Sequence, residues 1–367
     1  MQLEILNSKK NLGGVLIMFI LKKIKTKPIL FMLLLIAVFT TIVSGCSLGT
    51  DTTEKVVIAY NSPPEWANWK AVHKAFEEET GIRVPPDNKN SGQTVSALVA
   101  EKANPQADTA YYGITFGVKA AEMGILESFK PQHAEEIPSE LHCPDWKWFT
   151  IHMGTVAFLV NKDALNGVPV PRSWQDLLKP EYEGMVAFLD PTSAFVGYAA
   201  CTAANLALGG SLDNWDSGIE YLHKLHANGA HYPKQTSYAL VVKGEIPIMI
   251  GYDFNGYRMK YEDGANVEVV IPEEGSIIVP YVISLVKNGP NPENAKLFLD
   301  FVMSDKGQAA FADGFVRPIR EGVMKPETAA KFLPASDYER AKPIDYAKMA
   351  TAQEAFAERW LKEVITN

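Results

Sequence analysis

Three short stretches place hydroxyl and amide groups where a helix is expected to begin: Ser91-Gly92-Gln93-Thr94, Thr192-Ser193-Ala194 ahead of Phe195, and Thr236-Ser237-Tyr238. The first turn of a helix has unpaired N–H groups and the positive end of its dipole, which suit an anion. The same hydroxyls also cap helices with no ligand present. A fourth stretch, residues 246–261 (IPIMIGYDFNGYRMKY), runs from a buried apolar strand into Tyr252, Asp253 and Phe254. A carboxylate between aromatic rings suits an ammonium group, by ion pairing and cation–π contact, or the hydroxyls of a sugar. It also suits a turn that the aspartate fixes by itself. The loop Asn61-Ser62-Pro63-Pro64-Glu65-Trp66 offers polar groups and an indole able to stack on a ligand. Tyr111 and Tyr112 end another strand. Alternation sends only one of them toward a site, and Tyr112 is the one expected there.

The elements that must carry these residues alternate along the chain. KVVIAY (55–60) reads as a strand, and the spacing of Val72, Ala75 and Phe76 predicts a helix over 69–80 that Gly81 ends. A short strand at 82–84, a helix opened by Ser91, a strand at 108–113 and a helix over 117–126 follow. Further on come a strand over 155–160, a helix capped by Ser173, a strand at 185–190 and an almost uncharged helix over 193–208. An amphipathic helix, a short helix at 237–245 and the strand ending at Asp253 complete this part. Two strands around Glu273-Glu274-Gly275, two helices over 291–313 and a long amphipathic helix over 346–365 close the chain. Strand and helix in alternation predict α/β architecture with a parallel sheet.

The first fifty residues do not belong to that pattern. Lys22, Lys23, Lys25 and Lys27 precede an apolar run over 29–43, too short for a comfortable membrane span. Small residues and Cys46 follow, which is the layout of an export signal. The cysteine at that point resembles the lipobox of bacterial lipoproteins and implies cleavage before Cys46 and lipidation of its thiol. Residues 1–45 are then a signal peptide, with translation starting at Met1 or Met18, and 46–54 a polar tether.

The 367 residues are 47% hydrophobic and 21% charged, an ordinary globular composition. Removing residues 1–45 takes six lysines and one glutamate from 35 basic and 43 acidic residues, leaving a net charge of −13. That argues against a nucleic-acid partner. Cys143 and Cys201 remain, and sequence alone does not decide whether they pair. No nucleophile elbow, zinc-binding His-Glu-x-x-His, Cys-x-x-Cys, Walker loop or dinucleotide fingerprint occurs. An exported hydrolase therefore stays only as a rival reading, with no metal or cofactor expected.

Several segments together resemble a family. FEEETGIRV, SGQTVSALVAEKANPQADTAYYG, FLVNKDAL, PRSWQDLLKPEYEGMVAFLDPTSAF and VKNGPNPENAKLFLDFVMSDKGQAAFAD follow the order seen in extracytoplasmic solute-binding proteins of ABC importers. The branch is the one with ferric-iron, thiamine, polyamine, hexose-phosphate and 2-aminoethylphosphonate binders. The resemblance implies a two-lobed α/β fold of the type II periplasmic-binding class. One lobe is residues 55–155 with 280–367 and the other 156–279, with the ligand in the cleft between them. It further implies a monomer at the outer face of the membrane, anchored through Cys46, that delivers a small polar solute to the permease. The expected ligand-facing residues are Asn61, Ser62, Trp66, Ser91, Gly92, Gln93, Tyr112, Ser193, Ala194, Phe195, Thr236, Ser237, Asp253 and Phe254. Ferric binders of the branch place adjacent tyrosines near the position of Tyr252-Asp253-Phe254. That pair is missing here, so an organic phosphate, phosphonate or zwitterion is expected, with ferric iron as the alternative.

Overall fold

Two long strands organise the chain in the computed structural model, which describes residues 55–234 and 238–366. They are β4 (Phe149–Asn161) and β8 (Ser276–Val286). Both are nearly continuous runs of β-branched and aromatic residues, and nearly every position is buried, as expected of strands covered on both faces. The other strands are β1 (Ala59–Tyr60), β2 (Thr109–Gly113), β3 (Leu126–Glu127), β5 (Val186–Ala187), β6 (Ile248–Tyr252), β7 (Val267–Val270), β9 (Arg317–Pro318) and β10 (Ala341–Lys342).

The sheet order is β1-β2-β8-β4-β6-β5, with β3 and β10 also on β8 and β7 and β9 also on β4. The first part of β4 pairs antiparallel with β8, Thr150 opposite Val282 and Thr155 opposite Ile278. From Val156 onward β4 pairs instead with β6 and β7. β4 thus passes from one half of the sheet to the other at Thr155–Val156. The parallel sheet expected from sequence is corrected here. Only β1–β2, β5–β6 and β8–β10 are parallel, because the two long strands run antiparallel through the centre. The expected strands around Gly275 exist as β7 and β8, each paired to β4.

Helices cover both faces. Those that position the site are α1 (Trp69–Thr80), α2 (Ser91–Ala100), α3 (Ile114–Glu122), α4 (Phe195–Ala207), α5 (Asp216–Ala227), α6 (Tyr238–Val242) and α7 (Asp253–Tyr261). α4 buries eleven of its thirteen residues, which explains its almost uncharged sequence. Ser173 Oγ accepts from the Asp176 N–H in a short 3-10 turn (Gln175–Leu178) rather than opening a helix, and the helix expected over 117–126 begins at Ile114. Burying a large apolar side chain contributes roughly 1.5–3 kcal/mol. Trp69, Trp174, Phe158 and Tyr252 are among the many here with almost no exposed surface. Cys143 and Cys201 are both free thiols.

Candidate functional site

A cavity of about 400 Å³ opens where the ends of several elements meet. On one side are the loop after β1, with Asn61, Pro63, Glu65 and Trp66, and the turn into α2, with Asn88, Lys89, Asn90 and Ser91. On the other are Leu189, the start of α4 with Ala194, Phe195 and Val196, and Lys234. Tyr281 of β8 forms part of the wall.

Each polar group is held for a reason. Asn61 adopts a left-handed backbone, φ 63°, which asparagine tolerates better than most residues. Its N–H donates to Asp87 Oδ1 at 2.8 Å and its side-chain amide to the Tyr111 carbonyl at 2.7 Å. Lys89 Nζ lies 2.6 Å from Asp87 Oδ2 and 3.7 Å from the centre of the Tyr60 ring. The Tyr60 phenol is pushed up to about 12 by burial and by its hydrogen bond to Glu101. Lys234 is exposed at the rim, and its carbonyl accepts from Asn90 Nδ2 at 3.4 Å.

The two helix starts differ. Asn90 caps α2 by accepting from the Gln93 N–H at 2.9 Å, with Gln93 reaching back to the Asn90 N–H. The Gly92 N–H donates to the Ser193 carbonyl at 3.1 Å. A side chain at residue 92 would put its Cβ 2.6 Å from that oxygen, so glycine permits the approach. α2 therefore spends its donors on its own cap and on a contact to the segment before α4. α4 begins at Ala194, which has no side chain to cap it. Thr192 turns its hydroxyl to Asp190 Oδ1 at 2.6 Å, and Ser193 Oγ is buried with no partner among the described residues. The start of this thirteen-residue helix therefore meets the cavity with no side-chain cap, and Lys89 and Lys234 line the same cavity.

Behind the wall lies an aromatic cluster. The Trp66 ring sits 5.3 Å from Phe254, 5.8 Å from Tyr252, 5.6 Å from Tyr281 and 6.1 Å from Tyr238. Burial holds the Tyr111, Tyr238, Tyr252 and Tyr281 phenols well above their ordinary range, so they are neutral. Phe195 lies flat on Gly113, where a Cβ would come within 1.8 Å of its ring.

Of the residues expected at the site, Asn61, Trp66, Ser91, Ala194 and Phe195 line this cavity. Gly92, Gln93 and Ser193 line a second, more open depression. Ser62 Oγ donates inward to the Ala59 carbonyl. Tyr112 lies on the opposite face of β2 and donates to Ser284 Oγ at 2.7 Å, so the alternation works and its expected assignment is reversed: Tyr111 is the one behind Trp66. Phe254 supports Trp66 from behind. Asp253 is 1% exposed and does not line the cavity. It accepts from the Thr155 N–H and from the Tyr338 O–H, each at 2.9 Å, and ion-pairs with Arg317 Nη2 at 2.9 Å. Thr236, Ser237 and Cys46 lie outside the described residues. Sequence reasoning missed Lys89, Lys234 and Tyr281. The polar run PPDNKN before Ser91 was a signal for the first, whereas Tyr281 sits inside an apolar strand and gives none.

A family model described as bacterial extracellular solute-binding protein matches residues 104–352. An uncharacterized protein of Haemophilus influenzae is 33% identical over 307 residues, covering 79% of this chain and 86% of its own. A putative 2-aminoethylphosphonate-binding periplasmic protein of Salmonella typhimurium is 30% identical over 295 residues, 73% of this chain and 84% of its own. Among solved structures, the periplasmic binding protein AfuA of Actinobacillus pleuropneumoniae with fructose-6-phosphate bound is 25% identical. It aligns with a TM-score of 0.70 over 85% of this chain and 100% of that one.

Proposed function

Because the chain belongs to the bacterial extracellular solute-binding proteins and serves as the solute-binding component of an ABC importer, we propose that its cavity captures a small phosphate- or phosphonate-bearing solute. The family and these relatives are binding proteins of transporters, and no turnover of the solute is involved. The observation that carries the proposal is the start of α4, which has no side-chain cap and lines the same cavity as Lys89 and Lys234. The positive dipole end of α4 and the side chains of Lys89 and Lys234 line the same cavity, and a tetrahedral dianion suits both kinds of group. Trp66 and Tyr281 offer an apolar wall to the body of the solute, and Glu65 at the rim offers a partner to an ammonium, which accommodates a zwitterion. About 400 Å³ suits a small molecule. Ferric iron is the weaker reading, since Tyr281 is the sole phenol lining the cavity among the described residues and burial keeps it protonated.

The lobes are proposed as residues 55–155 with 280–367 and 156–279, and the anchor as a lipid on Cys46. Lipidation would keep the full chain in the membrane fraction and Cys46→Ser would release it. The solute is tested by thermal melts of a chain beginning at Ser47 with 2-aminoethylphosphonate, fructose 6-phosphate, inorganic phosphate, putrescine and ferric citrate. A solute present at a hundred times its Kd stabilises by about 2.7 kcal/mol. The expected outcome is a rise with a phosphonate or phosphate ester that Lys234→Glu diminishes. A rise with putrescine or ferric citrate alone overturns the reading.

A further inference from the structure

Behind the cavity wall runs a chain of three hydrogen-bonding groups. Trp66 Nε1 lies 2.8 Å from Tyr111 Oη, and Tyr111 Oη lies 2.8 Å from His152 Nε2. An indole N–H only donates, so the Tyr111 oxygen accepts from it, while the direction of the Tyr111–His152 bond follows the imidazole tautomer. Nδ1 has no partner among the described residues, and His152 has no exposed surface. A buried polar atom without a partner is costly, and the rings of Tyr111, Phe254, Tyr281 and Phe311 pack about this imidazole. The fold places it where the β4–β8 ladder slips: Thr150 faces Val282, yet His152 faces Tyr281. Such an irregularity re-aims a side chain. Here it lays the His152 ring on Tyr281, centres 5.4 Å apart and 15° from parallel. Two of the three aromatic members of the cavity wall thus rest on His152, Tyr281 by stacking and Trp66 through Tyr111. Burial pulls the His152 pKa down to about 3, so the ring stays neutral at ordinary pH.

We propose that Tyr111 and His152 are positioning residues for the solute site, holding the Trp66 indole in the orientation that faces the solute. The inference rests on the reading of this cavity as the solute site. The experiment uses full-length folded protein with 15N-labelled tryptophan, the Trp66 indole signal being assigned by its loss in Trp66→Phe. Tyr111→Phe and His152→Leu are expected to shift that signal and speed its exchange with water in the absence of solute. They are also expected to weaken binding of whichever probe binds wild type, 2-aminoethylphosphonate or fructose 6-phosphate, by about tenfold. His152→Gln, whose amide oxygen reaches the place of Nε2, is expected to restore both. Loss of packing alone would lower the melting temperature without the Gln rescue. An unchanged indole signal in folded Tyr111→Phe and His152→Leu overturns the proposal, as does affinity within twofold of wild type. If neither probe binds wild type, the phosphate reading fails, and the indole signal still decides whether the relay holds Trp66.

Discussion

Asp253 shows how far a residue's surroundings decide its work. Its neighbours in sequence are those of a ligand-binding carboxylate, yet its oxygens are taken by the Thr155 N–H, the Tyr338 hydroxyl and the Arg317 guanidinium. Arg317 in turn donates to Thr155 Oγ1 at 3.1 Å and stacks 4.0 Å above the Tyr338 ring. Asp253 and Arg317 both reach Thr155, where β4 leaves β8 for β6. Asp253 therefore acts as a clamp on the crossing point. Removing one partner of a buried ion pair costs about 3–5 kcal/mol, and Arg317 has 28% of its side chain in solvent to soften the loss. Asp253→Ala is expected to lower stability by about 3 kcal/mol in urea unfolding while the folded fraction binds solute within about threefold of wild type. Intact stability with lost affinity would instead return Asp253 to the ligand.

At the scale of elements, the seam between α2 and α4 is what shuts the cavity. Gly92 and Gly113 let the backbone of one side reach Ser193 and Phe195 on the other. Gly113 has an ordinary extended conformation, so its need for no side chain is a matter of space. Gly113→Ala would drive Phe195 off its seat and tilt the first turn of α4. Overpacking of this kind costs roughly 1–3 kcal/mol, and solute affinity measured by calorimetry is expected to fall at least about tenfold. Wild-type affinity in Gly113→Ala would show that Phe195 is free to move without consequence. Helices such as α1 and α4 were legible because their own side chains record the burial: Val72 and Phe76 on one face, and no charge at all in α4. Strands were less so. KVVIAY reads as six residues of strand, yet only Ala59 and Tyr60 pair with β2 and Val56 makes a single bridge to Arg83. Nothing in SIIVPYVISLV records that its partner is the antiparallel β4, so the pairing direction was misread. The site was half legible for the same reason. Loop residues such as Asn61 and Trp66 advertise themselves. Tyr281 and Lys234 become neighbours only after three distant segments meet.

For the whole molecule, the consequence lies in what joins the two proposed lobes. Around the crossing point, β4 and β8 pair with each other and then diverge to different partners. Ser276 Oγ donates to the Val156 carbonyl at 2.6 Å and ties the strands together there. Beside the ring contacts of Trp66 with Phe254, Tyr252 and Tyr238, three polar links join the proposed lobes near the cavity: Gly92 to Ser193, Asn90 to the Lys234 carbonyl, and Arg258 to the Glu65 carbonyl. Exposed polar contacts of this sort are worth little singly, about 0–1 kcal/mol each, so each of the three biases the closed arrangement only slightly. A solute that bridges the α4 start and Trp66 adds differential binding to the closed arrangement alone, and it shifts the population by that difference. Small-angle scattering is therefore expected to give a smaller radius of gyration when the protein is saturated with its solute. Arg258→Ala and Asn90→Ala should enlarge the solute-free form and weaken binding, while the solute still restores the compact one. A radius of gyration unaltered by saturating solute would mean that β4 and β8 act as a rigid joint, and that the cavity fills without closing.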